Sequence, residues 1–172
     1  MTEQQEYTVL ATYPDAELRD YPRCTVADVT LTGSAERVGN RAFGPLVRYI
    51  SAKNLAMTAP VLQAETPAEN EWTVSFVLPG GRALTDYPVP DDAQVRLREV
   101  PRHLAMASRW TGRWSYATVE KRTQVLRELI ATQGLRALGP PVWARYDPPW
   151  KPWFARRNEV LIEVEGSTDQ ST

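Results

Sequence analysis

The sequence holds a single cysteine and a single histidine among its 172 residues. With only Cys24, an intramolecular disulfide framework and a cysteine-cluster metal site are excluded. With only His103, a two-histidine metal site is excluded, and any histidine-dependent catalysis has to run through that residue. An excess of either charge is also missing. The 20 Lys+Arg and 21 Asp+Glu leave a formal net charge of -1, so generic binding to nucleic acid or to an acidic membrane gains no support. No apolar run approaches the roughly 20 residues a membrane helix needs. The opening residues are polar and acidic, without a basic segment leading into an apolar one. A cytoplasmic protein with no nucleic-acid partner and no membrane insertion is the expectation. G-x-G-x-x-G, P-loop, G-x-S-x-G and H-E-x-x-H motifs are all absent, and no catalytic residue is assigned.

Tryptophan and proline, by contrast, are abundant, with 6 and 14 copies. Large aromatics need apolar partners, so the chain carries material for a pocket and little for conventional side-chain catalysis.

A repeat organises that material. Residues 17–33 (ELRDYPRCTVADVTLTG) align with residues 96–112 (RLREVPRHLAMASRWTG), with six of 17 positions identical, Arg19/Arg98 and Gly33/Gly112 among them. Each copy leads into a helical segment, and each half closes with a strand beginning Asn-Glu, at Asn70 and at Asn158. The chain reads as one domain over 1–172, a tandem duplication of halves 7–84 and 85–165, with a flexible tail at 166–172. Strands are expected at 17–21, 23–32, 57–63 and 72–78, and again at 94–100, 102–110, 142–146 and 159–165. The second helix has Ser115 as N-cap, apolar residues Val119, Leu126, Leu129 and Ile130 at helical steps, and Gly134 as a stop. The first is expected over about 43–51, because Pro45 fits only a first turn. About eight strands with one helix per half argue for an α+β fold. Pairing the halves about a pseudo-twofold would close, or nearly close, the sheet and leave the helices outside.

Four places are candidates for chemistry. In Lys53-Asn54-Leu55-Ala56-Met57, the thioether with its neighbouring leucine either lines a site for a flat apolar ligand or is core. The segment YDPPWKPWFARRNE at 146–159 is stiffened by three prolines and sets Trp150, Trp153 and Phe154 around Lys151, with Arg156 and Arg157 behind. It suits an aromatic ligand bearing carboxylates, or else plugs one end of the barrel. His103 is the one nitrogen able to ligate haem iron. Alternation puts it with Ala105, Ala107 and Arg109, opposite the bulkier Leu104, Met106 and Trp110, and therefore outward or under a helix. Cys24 fills the matching repeat position and reads as a free, partly buried thiol.

ELRDYP at 17–22, AMTAPV at 56–61, WTVSFVLP at 72–79 and RYDPPWKPWFARRNE at 145–159 together resemble the SOUL/haem-binding protein family, in family order and over nearly the whole chain. The resemblance implies a pseudo-symmetric, distorted eight-stranded antiparallel β-barrel flanked by two α-helices, related to gyrase-inhibitor-like effector-binding domains. It also implies reversible, non-covalent binding of haem or free porphyrin in a shallow apolar cleft, for buffering, transport or sensing. Ring contacts then fall to Leu46, Ile50, Leu55 and Met57, with Trp150 and Trp153 beside them and Arg48 or Lys151 at the propionates. Some members ligate iron through a histidine; the motifs quoted do not match that position to any residue of this sequence, and His103 stands only as a candidate axial ligand. Two alternatives stand: an enzyme acting on the tetrapyrrole by iron removal or on another small hydrophobic substrate, and a cofactor-free effector or protein-interaction module.

Overall fold

Among the described residues there are twelve strands, the longer ones carrying apolar residues toward the core, and two stretches of three- and four-residue apolar spacing form α-helices. The computed structural model describes residues 3–148 and 150–165. In chain order these are β1 (Glu3–Gln4), β2 (Thr8–Tyr13), β3 (Ala16–Tyr21), β4 (Cys24–Thr32), α1 (Ala35–Ala52), β5 (Thr58–Ala59), β6 (Val61–Glu65), β7 (Glu71–Val77), β8 (Arg96–Val100), β9 (His103–Thr111), α2 (Tyr116–Thr132), β10 (Arg136–Ala137), β11 (Val142–Arg145) and β12 (Arg157–Glu165). The main sheet is antiparallel and curls into a half-barrel in the order β2-β3-β9-β12-β11-β6-β7-β4-β8, with β10 on β12 and a separate β1-β5 pair. The fold is α+β. No helix among the described residues is long and apolar enough to cross a membrane. The expected tail at 166–172 lies outside the described residues.

Part of the pairing scheme recurs when residues 17–33 are exchanged for 96–112, while the β2·β3 and β10·β12 ladders have no counterpart. Leu18 lies opposite Met106 as Leu97 lies opposite Ala27, and Tyr21 opposite His103 as Val100 opposite Cys24. The relation centres on the β6·β11 ladder, where Gln63 faces Trp143. The Asn-Glu match does not follow it. Thr32 pairs with Glu71 and Thr111 with Arg157, so Trp72 corresponds to Asn158 and the sequence match is displaced by two residues. Two is the side-chain period of a strand, so the apolar pattern survives the displacement.

Two further expectations are corrected. The sheet does not close: β2 occupies the outer edge of β3, the edge that would have met β8, and β8 ends the sheet with the charged Arg96, Arg98 and Glu99. Helix α1 begins at Ala35 and carries Pro45 inside it. Val38, Ala42, Leu46, Tyr49 and Ile50 form one buried stripe against Ala27, Val29, Val74 and Phe76 of the sheet. Burying that stripe outweighs the roughly 3 kcal/mol cost of an interior proline. Helix α2 starts as expected, with the Ser115 side chain accepting from the Thr118 N–H at 3.2 Å. It packs Val119, Leu126 and Ile130 onto Met106, Trp110, Val160 and Ile162. Both helices therefore cover one face of the half-barrel, and the opposite face is left to form a cleft.

Candidate functional site

On the helix-free face, β4, β7, β8, β9 and β12 wall a cavity of about 350 Å3, whose lining includes Cys24, Asp28, Ser75, Arg98, His103 and Glu163. That volume is near the lower end of the roughly 300–1,000 Å3 of ligand pockets. Asp28 accepts hydrogen bonds from Ser75 Oγ at 2.5 Å and from Arg98 Nε at 2.7 Å. His103 is half-buried, stacks on Tyr21 with ring centres 5.3 Å apart, and has Nδ1 at 2.9 Å from the Pro101 carbonyl. A carbonyl only accepts, so neutral His103 carries its proton on Nδ1 and presents a lone pair at Nε2. The alternation expected for β9 is present, but its bulky face is the one under α2. His103 stands in the cleft wall, neither outward nor under a helix. Burial pushes the Cys24 thiol up, and Gln5 Nε2 donates to its sulfur at 3.7 Å. Alkylation by iodoacetamide should accordingly run slower than that of glutathione at pH 8 and accelerate as pH rises. Rates equal to glutathione's would contradict this placement.

Both halves contribute to the cavity lining, and beside it a cluster of buried charge occupies the sheet around β3 and β12. Arg19 corresponds to Arg98, and Glu159 to Thr73. Arg19 Nη1 and Nη2 meet the two Glu159 oxygens at 2.7 and 3.0 Å, with both side chains fully buried. Arg157 Nη2 at 2.7 Å and Tyr146 Oη at 3.0 Å complete the coordination of Glu159, and the Tyr7 ring covers Arg19 at 4.1 Å. Burial alone would raise the Glu159 carboxyl, but Arg19 and then Arg157 outweigh it and hold it below the ordinary range. Where Glu159 stands in one half, the other has Thr73, bonded to Thr30 at 2.8 Å, and the space stays open.

The loop that follows β11 is described at residues 146–148 and 150–156. Trp150 is 83% exposed, Phe154 65% and Trp153 49%, with the Arg113 guanidinium 5.0 Å from the Trp153 ring centre. Asp147 ties the loop down, accepting from Lys151 Nζ at 2.7 Å and from the Arg157 N–H at 2.6 Å. Arg145 of β11 pairs with Val61 of β6, so this loop and the segment 53–60 leave the sheet at the same end of adjacent strands. Met57 is exposed there, Leu55 packs against the α1 core, and Lys53 bridges to Asp91 at 2.9 Å. Leu46 and Ile50 are sealed under α1 within the core. Arg48 is exposed, with Asp92 at 3.8 Å.

The site residues named from sequence thus fall in separate places. Gly112 N–H donates to the Arg156 carbonyl at 3.0 Å, which sets the loop at the far end of β9 from His103. That nine-residue strand spans about 26 Å at roughly 3.3 Å per residue. A tetrapyrrole resting on Trp150 and Trp153 is out of reach of His103. The residues present fit a flat macrocycle held by its ring, with aromatic faces, a thioether and a tethered ammonium at one end of the sheet. No group of three or more His, Cys, Asp and Glu able to hold a metal ion exists among the described residues. Sequence reasoning missed the Arg19–Glu159 pair, although the repeated Arg19/Arg98 was its signal. It also missed a gathering of Trp72, Trp110, Trp114 and Trp143 on the helix side.

A curled antiparallel sheet with two helices on one face and a cleft on the other defines a class of α+β half-barrel folds shared with several solved structures. The EcmrR C-terminal domain is 14% identical with a TM-score of 0.69, covering 92% of this chain and 98% of that one. A hydrolase from Listeria innocua is 14% identical with a TM-score of 0.64 (91% and 94% covered), and SAV2435 bound to tetraphenylphosphonium is 11% identical with a TM-score of 0.54 (94% of each). EcmrR in a DNA complex, 13% identical with a TM-score of 0.69, matches 87% of this chain, which spans 57% of that one. None of the curated proteins matches the sequence. The family model described as SOUL heme-binding protein matches residues 2–163, and the chain belongs to that family.

Proposed function

We propose that the protein binds a tetrapyrrole, haem or free porphyrin, reversibly and through the macrocycle face, for buffering, transport or sensing. The observation that carries this reading is the exposure of Trp150, Trp153 and Phe154, together with that of Met57, at the same end of the adjacent strands β6 and β11. Exposed aromatics grouped on a rigid, proline-braced loop mark a binding surface. Ring contact falls to Trp150, Trp153 and Met57, with Leu55 behind them. Lys151, anchored by Asp147, serves a propionate, and the exposed Arg48 is a further candidate cation. Leu46 and Ile50 support the site from the core as backing for α1. A haem held in this way would be bound through its ring by Trp150, Trp153 and Met57, and would supply the redox and ligand-binding chemistry of its iron.

Haemin and metal-free protoporphyrin are therefore expected to bind with affinities within about threefold of each other, followed by Soret absorbance. The double variant Trp150→Ala/Trp153→Ala should weaken both by at least tenfold, about 1.4 kcal/mol. His103→Ala should leave both unchanged. Absence of saturable binding below about 10 μM, or loss of haemin alone in His103→Ala, would overturn the reading.

A second reading places a compact apolar cation in the cleft. The carboxylates Asp28, Glu65 and Glu163 on its lining favour it, as does the similarity in fold to SAV2435, which was solved with such a cation. Tetraphenylphosphonium binding that weakens in Asp28→Asn and survives the loop variant would select this reading.

A further inference from the structure

Four of the six tryptophans meet on the helix side, around the centre of the register relation. Trp143 lies 4.9 Å from Trp72 and 5.2 Å from Trp114, Trp110 stacks 5.6 Å from Trp114, and Tyr116 stands edge-on 5.7 Å from Trp143. The first turns of both helices abut this cluster. Gln63 Nε2 donates to the Ala35 carbonyl of α1 at 2.7 Å, and Tyr116 opens α2. Trp72 and Trp114 are half-buried and Tyr116 is exposed, so the cluster reaches the surface.

Into it projects Arg145, its guanidinium carbon 4.7 Å from the Trp114 ring centre. Arg145 has no hydrogen bond or ion pair among the described residues, and its Nε is buried without a partner. Trp110 Nε1, one ring further along, is likewise buried and unpartnered. Burial holds the guanidinium below its ordinary value, with Tyr116 and Glu36 the groups acting against that. An unmet buried donor costs about 1–3 kcal/mol, and natural proteins seldom keep one without a use. Two such donors beside flat aromatic walls, with Arg122 another 5.8 Å from the Trp110 ring, lack an acceptor carrying negative charge and a π face.

We propose that this cluster is a binding site for a flat aromatic carboxylate, its ring against Trp114, Trp72 and Tyr116 and its carboxylate on Arg145. A guanidinium meets a carboxylate through two parallel hydrogen bonds, and the aromatic walls exclude the water that would compete. A neutral aromatic of the same shape leaves the guanidinium unmet and binds more weakly. The site shares no residue with the aromatic loop and does not depend on tetrapyrrole binding.

Calorimetric titration with 2-naphthoate and with 2-naphthylmethanol tests it. The acid should bind at least tenfold more tightly than the alcohol. Arg145→Met should bring the acid down to the alcohol's level while keeping an unfolding midpoint close to that of wild type, since it removes a half-buried cation that has no hydrogen-bond partner among the described residues. Trp150→Ala/Trp153→Ala should leave naphthoate binding unchanged, and naphthoate should still bind with haemin present. Equal affinity for acid and alcohol, no heat from either at millimolar ligand, unaltered binding in Arg145→Met, or displacement by haemin would each overturn the proposal. Failure of haemin to bind leaves the naphthoate measurements standing, so the two readings fail separately.

Discussion

Glu159→Ala is expected to lower the stability of the fold by about 3–5 kcal/mol, read as a drop in the urea midpoint at unchanged slope. The carboxylate is fully buried and accepts from Arg19, Arg157 and Tyr146. Its loss strands the Arg19 guanidinium, which has as its other acceptors only Glu17 at 2.8 Å and the Tyr21 hydroxyl at 3.0 Å. An uncompensated buried cation is what makes such a deletion severe, whatever the net worth of the intact pair. Glu159→Gln keeps one accepting oxygen and should cost less. The same group sets an acid limit. Its folded carboxyl titrates below the ordinary range, so the stabilisation is fully present above about pH 4.3 and is lost as pH falls through the lower, folded value. Wild type should lose stability more steeply than Glu159→Gln below about pH 4. Parallel acid curves for the two proteins would show that the carboxylate carries no such linkage.

Trp143→Ala should cost about as much, roughly 3–5 kcal/mol, by a different route. Trp143 is buried and touches the rings of Trp72, Trp114 and Tyr116, so truncation opens a void between both helices and the sheet. Trp143→Phe refills part of it and should recover more than half the loss. Arg145→Met, two residues along the strand, is the contrast: a neighbouring side chain removed with no expected loss. If Trp143→Ala unfolds no earlier than wild type, the ring cluster is surface decoration and adds nothing to the core.

Which parts of this architecture were legible depended on how local their causes are. Helix α2 announces itself through Ser115 and its apolar spacing, signals that lie within one segment. Helix α1 was read short because Pro45 obeys a local rule that the burial of Leu46 and Ile50 overrides. The repeat block was legible down to register, since identical spacing places Leu18 and Leu97 in matching ladders. The sheet stops short of full closure because β2, whose residues are mostly exposed and carry little periodic signal, takes the edge of β3. That Trp150, Trp153 and Phe154 form one exposed group was legible from their spacing. The tryptophan cluster was not, because positions 72, 110, 114 and 143 meet only after three strands and a loop are assembled. For the same reason, His103 and Trp150 could not be told apart as alternatives until β9 was seen to run between their two ends of the sheet.

The unequal filling of the concave face has a consequence for how this protein can change. One half has its interior locked by Arg19 and Glu159, and a substitution there meets the full penalty of a stranded charge. In the other, Thr73 stands at the position of Glu159, and Arg98 is half in solvent against Asp28. Exchanges at Asp28, Thr73, Ser75 and Arg98 alter the shape and charge of the cavity while the scaffold keeps its strongest interior contact. One half acts as a keel and the other is free to drift, so a lineage can retune the cleft's chemistry stepwise without passing through an unfolded intermediate.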